Sequence, residues 1–120
     1  MQMTRAVVNP GVCGITVTVE VTKTSQRRVK IEIITKCDKV NEMAKALSEL
    51  SLFDALKSPI DSGVYKSASE HHLCASCPVP MAILKAIEVE NDLALPRSVV
   101  VHLETTEHTK HLTNPGTYIT

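Results

Sequence analysis

The chain has almost no aromatic residues: one Phe, two Tyr and no Trp in 120 positions. In such a chain four thiols set beside turn residues read as one constructed site rather than as core filler. Net charge is also missing, since 13 Lys and Arg balance 13 Asp and Glu. Arg27, Arg28 and Lys30 form only a local group, so the basic stripe of a nucleic-acid binder is lacking. No apolar run reaches the roughly 18 residues that span a bilayer, and residues 1–10 lack the basic and apolar regions of a secretory signal. These absences predict a cytoplasmic protein with neither nucleic acid nor membrane as partner. The length allows one modest core and no second. No internal repeat, Ser-His-Asp set, phosphate-cradling glycine loop or paired-carboxylate site stands out.

Against this background four cysteines are prominent. Cys13 lies in Asn9-Pro10-Gly11-Val12-Cys13-Gly14, Cys37 in Thr35-Lys36-Cys37-Asp38, and Cys74 and Cys77 form a Cys-x-x-Cys followed by Pro78-Val79-Pro80. A reducing cytoplasm disfavours structural disulfides, so such a pattern points to metal binding or catalysis. Gly11 and Gly14 give the backbone around Cys13 conformations closed to other residues, as a ligand-binding loop or a plain tight turn would need.

Hydropathy gives the expected path. Ile15, Val17, Val19 and Val21 alternate with polar residues, and so do Val29, Ile31 and Ile33, which predicts a β-hairpin with its turn in residues 22–27. A turn centred near Ser25 would set Cys13 opposite Cys37 at the open end, both on the apolar face. Asp38 is the expected N-cap of a helix carrying Val40, Met43, Ala44 and Leu47 on one face. Ser51 should cap a short helix, Ser58-Pro59 should break it, and residues 62–72 read as irregular. A second helix should open at Cys77-Pro78 and bury Pro80, Ile83, Leu84 and Ile87. Residues 98–103, rich in β-branched side chains, read as a returning strand parallel to the second hairpin strand. The expected fold is α+β: a two-layer sandwich with an N-terminal β-hairpin, a helical middle and a C-terminal strand. Residues 1–104 form the single domain and residues 105–120 a polar tail.

On this path Cys13, Cys37, Cys74 and Cys77 meet at one end and supply a complete set of four thiolates for a zinc ion or an iron-sulfur cluster. A split first pair is unlike the two Cys-x-x-Cys knuckles of zinc ribbons, and Pro after Cys77 matches the end of the bacterial ferredoxin run, so a 4Fe–4S cluster is favoured over zinc. The helix start behind Cys77 turns N–H groups and the positive dipole end toward an anionic centre. Four cysteine ligands leave zinc no open position, which points away from an enzyme and toward electron transfer, sensing or an accessory role. A dithiol redox pair, Cys74 attacking and Cys77 resolving, is a competing reading, although Glu70-His71-His72-Leu73 makes a poor preceding strand. His71 or His72 could replace a thiolate or donate to a sulfur; an exposed loop pair is the plainer reading. His102, His108 and His111 read as surface or tail residues.

Asn9-Pro10-Gly11-Val12-Cys13-Gly14, Cys37 and Cys74-x-x-Cys77-Pro78-Val79-Pro80 running into residues 82–88 resemble a small uncharacterised four-cysteine protein family, a domain of unknown function, of anaerobic bacteria and methanogenic archaea. The resemblance covers residues 5–103. It implies an oxygen-poor cytoplasm, which favours the cluster, and a protein partner in redox or sulfur metabolism. Residues 77–84 are also similar to the Cys-Pro-x-Pro helix start of the TusA-like sulfur carriers. That similarity implies a persulfide on Cys77, activated at a helix N-terminus. It lacks the family's Asp and Gly before the Cys, falls late in the chain, and leaves Cys13 and Cys37 without a role.

Overall fold

The computed structural model describes residues 2–106. Strands β1 (Thr4–Val8), β2 (Val17–Ser25) and β3 (Arg28–Thr35) lead into helix α1 (Asp38–Ala46) and a short strand β4 (Glu49–Ser51). Two 3-10 turns, Leu52–Ala55 and Pro59–Asp61, connect these to helices α2 (Gly63–Glu70) and α3 (Val79–Glu90). The four strands form one antiparallel sheet in the order β1-β2-β3-β4. The fold is α+β, with helices packed on one face of the sheet.

The hairpin forms because one face of β2 and β3 is aliphatic: Val17, Val19, Val21, Val29 and Ile31 are all buried, with polar residues between them. α1 lays Val40 and Met43 on the sheet, with Leu47 just beyond its end. α3 is buried along most of its length through Val79, Pro80, Ala82, Ile83, Ala86 and Ile87. Removing a side chain such as Ile83 or Ile87 from water contributes about 1.5–3 kcal/mol, which makes α3 the principal cover of the sheet.

Five expectations are corrected. First, the hairpin pairs Val17 with Thr35, Val19 with Ile33 and Val21 with Ile31, two residues away from the register of a turn at Ser25. The turn lies at residues 26–27, with Ser25 still in β2 and opposite Arg28, and an irregularity between Lys23 and Ser25 shifts the pairs beyond it by one residue. Second, Cys13 is not a hairpin residue: the ladder ends at the Val17 and Thr35 pair, and Cys13 lies in the turn from β1 to β2. Third, Cys37, not Asp38, holds the N-cap of α1. Fourth, residues 63–70 are helical, not irregular; the Ser62 hydroxyl accepts from Tyr65 N–H at 3.4 Å at the helix start. Fifth, residues 98–103 form no strand and lie exposed. The place in the sheet that would have been parallel is filled by no returning strand, and the fourth position is taken by β4, antiparallel to β3. The Ser51 cap is as expected, with its Oγ accepting from Phe53 N–H at 3.2 Å.

Glu90, at the last turn of α3, is buried yet satisfied. Its carboxylate accepts from Thr4 Oγ1 at 2.8 Å and from the Lys23 N–H at 2.9 Å, which ties α3 to the start of β1 and to the irregular end of β2. The N–H freed at the bulge thus finds a charged acceptor. Most of the polar tail expected at residues 105–120, with His108 and His111, lies outside the described residues. No helix among the described residues is long and apolar enough to cross a membrane.

Candidate metal centre

Each cysteine is set by local backbone chemistry. Around Cys13 the chain reverses between Gly11 and Gly14: the Gly14 N–H donates to the Gly11 carbonyl at 2.9 Å, and both glycines have positive φ, +85° and +69°. Nothing stands where a Cβ would go at either glycine. The requirement for glycine is therefore conformational, not steric crowding. Asn9 Oδ1 accepts from the Gly11 N–H at 3.3 Å and fixes the entry to the turn.

Cys37 sits where β3 hands over to α1. Its N–H donates to Thr35 Oγ1 at 3.1 Å, its carbonyl accepts the Asn41 N–H at 3.0 Å, and the Asn41 amide reaches back to the Thr35 carbonyl at 3.0 Å. Thr35 Oγ1 also donates to the Thr16 carbonyl at 3.0 Å, which joins this corner to the segment leading into β2. Cys37 packs half-buried against the core.

Cys74 and Cys77 close a turn of their own, the Cys77 N–H donating to the Cys74 carbonyl at 2.9 Å. Pro78 is the N-cap of α3, so Cys77 immediately precedes the helix. Cys77 is half-buried against the same core as Cys37, while Cys13 and Cys74 are exposed.

Electrostatics relate the four thiols to one another. Burial pushes the Cys77 thiol up, and charge on Cys37, Cys74 and Cys13 pushes it further in the same direction. The Val79 N–H at the start of α3 acts oppositely by donating toward the sulfur. Among the described residues no three His, Cys, Asp or Glu side chains stand together in metal-holding geometry. The convergence of Cys13, Cys37, Cys74 and Cys77 expected from sequence is therefore not seen as a closed cluster.

The histidines stand aside. The His71 ring lies 2.8 Å from the Ser67 carbonyl, which can only accept, so its Nδ1 carries the proton and caps the end of α2. His72 takes a positive φ of 59° in the turn that leads to Leu73 and Cys74. His102 is exposed on the segment without secondary structure. Sequence reasoning overlooked the Thr35, Asn41 and Thr16 clamp on Cys37, whose only signal was a Thr two residues before the Cys and an Asn four after it.

A model of a family of unknown function, DUF6951, matches residues 4–103. The chain belongs to that family. The matched span contains all four cysteines and every strand and helix described above. No curated protein matches the chain. No solved structure matches it either.

Proposed function

We propose that the protein holds a metal centre on Cys13, Cys37, Cys74 and Cys77, with an iron-sulfur cluster as the favoured occupant and a structural zinc as the alternative. The observation that carries this reading is the placement of the cysteines. Cys37 and Cys77 come from opposite halves of the chain and rest half-buried on one core at the starts of two helices, each on a backbone segment pinned by hydrogen bonds. Cys74 is held beside Cys77 by its own turn, and Cys13 projects from a glycine-framed loop.

The donor set fits such a group. Four soft sulfur ligands select zinc or iron-sulfur centres, and a cation or cluster would remove the mutual repulsion that charged thiols impose here. The pinned segments would supply Cys37, Cys74 and Cys77, and the exposed Cys13 loop is the part free to close over the group. Bound metal would supply either a one-electron couple or a structural clamp. Electron transfer, sensing or an accessory role for a protein of redox or sulfur metabolism, in a reducing cytoplasm, belongs to the same reading. A persulfide carrier on Cys77 is less well supported, because sulfur transfer needs a ready thiolate and the surroundings of Cys77 hold its proton on.

The test is metal and acid-labile sulfide analysis of protein purified without oxygen. Brown protein with iron and sulfide in similar amounts, bleaching on reduction or in air, is the expected result. Colourless protein with one zinc per chain would reject the cluster and keep the site. Colourless, metal-free protein of full stability would reject both.

A further inference from the structure

Two unsatisfied pieces of β structure occur in the chain, and they complement each other. The first is the outer edge of β1: β1 pairs only with β2, and no strand among the described residues lies on its other side. The second is the segment at residues 98–103. Among the described residues no hydrogen bond reaches it, and Val100, Val101 and Leu103 are 67%, 75% and 90% exposed. β-branched residues favour strands, yet here they stand in solvent. An open sheet edge and an apolar extended segment are each a liability that folded proteins ordinarily cover. The family match begins at Thr4, the first residue of β1, and ends at Leu103, the last apolar residue of the segment.

We infer that residues 98–103 of one copy add as an antiparallel strand to the β1 edge of a second copy, and that the second copy returns the exchange, forming a two-fold symmetric dimer. Charge and side-chain pattern favour this occupant. An antiparallel register that sets Glu104 opposite Arg5 also sets Leu103 opposite Ala6, His102 opposite Val7 and Val101 opposite Val8. Ala6 and Val8 lie on the core side of β1, while Arg5 and Val7 face outward. The register therefore extends the core face with Leu103 and Val101, and it pairs opposite charges outside. Arg5 already holds Glu20 at 2.8 Å, and its guanidinium has further N–H groups for a second carboxylate.

Closure onto the chain's own edge fits less well. The segment leaves α3 beside the start of β1, where residues 2–5 and 92–96 line one open groove. Folding back from there would run it parallel to β1 and bring Arg97 up to Arg5, two like charges. Parallel pairing is also the weaker geometry per residue. Reciprocal exchange satisfies the β1 edges of both copies at once and closes the assembly at two copies.

Sedimentation equilibrium of the full chain, as isolated without oxygen, tests this. Wild type should be a dimer. Neighbouring N–H groups of a strand point to opposite sides, so one of Val100→Pro and Val101→Pro should remove a donor to β1 and raise the dissociation constant about tenfold or more, while the other should have the smaller effect. Both positions are exposed and outside the core, so each variant should still unfold in one cooperative thermal transition. A wild-type monomer whose residues 98–103 exchange amide hydrogens slowly would mean closure within one chain, and would overturn the proposal. A monomer whose residues 98–103 exchange fast, or a dimer that neither proline weakens, would overturn it as well.

Discussion

The environment of Cys77 sets the order in which the thiols should react. If all four are ligands, as proposed, each should resist alkylation in metal-loaded protein. After chelation, exposed Cys13 and Cys74 should label first and Cys77 late, since burial and then neighbouring charge raise its thiol above the ordinary 9.0. The reaction needs the thiolate, so the lag at Cys77 should shrink as pH climbs through its raised value. The same shift acts on stability. The folded chain holds this proton more tightly than the unfolded chain, so its contribution is intact below pH 9.0 and is lost as pH rises beyond it. Time-resolved mass mapping of labelled peptides reads the order. Rapid, selective labelling of Cys77 in protein as isolated, with Cys13 and Cys37 dispensable for function, would favour the sulfur-carrier reading.

At the scale of elements, Glu90 joins three of them through one carboxylate. Glu90→Ala leaves the Lys23 N–H and the Thr4 hydroxyl without their acceptor in a buried place, and hydrogen bonds to a charged group contribute about 1.5–3 kcal/mol each. A loss of about 2–4 kcal/mol in denaturant unfolding is expected, whereas Val100→Ala, outside the core, should change little. Gly14→Ala should cost about 1 kcal/mol through its positive φ alone and should loosen the Cys13 loop. The elements that could be read from sequence are those with one clean apolar face: β2, β3, α1 and α3. β1 escaped because Val7 points outward while Ala6 and Val8 point inward, which blurs the alternation of a five-residue strand. α2 escaped because it opens on Gly63 and buries Ser67 beside Val64 and Ala68, so no apolar stripe marks it. The strand expected at residues 98–103 had the right composition for a strand, but composition names no partner, and within one chain it has none among the described residues. The cysteines were legible as a group, while the hairpin register was not, because the turn falls at residues 26–27 beyond Ser25 and an irregularity at residues 23–25 shifts the pairs beyond it by one more step.

For the whole molecule the deciding quantity is the coupling between the centre and the fold. A small domain is stable by about 5–15 kcal/mol in all, and among the described residues the sheet is covered on one face only, with Val7 and Ile34 left outside. Metal bound by the native chain and not by the unfolded chain adds its binding free energy to that modest sum. The start of α1, the start of α3 and the β1 to β2 turn would be clamped together, beyond the Thr35 to Thr16 hydrogen bond that already joins the first of these to the segment before β2. Cys37→Ser separates the two contributions. The Cys37 segment is held by backbone bonds to Thr35 and Asn41, which serine leaves in place, so the metal-free variant should melt close to metal-free wild type. With metal supplied, wild type should melt clearly higher, while the variant, one ligand short, should gain little. Thermal scans of both proteins, with and without chelator, give the four melting temperatures needed. Identical curves for loaded wild type and Cys37→Ser would mean that the thiol is only core filler and would count against the four-cysteine centre.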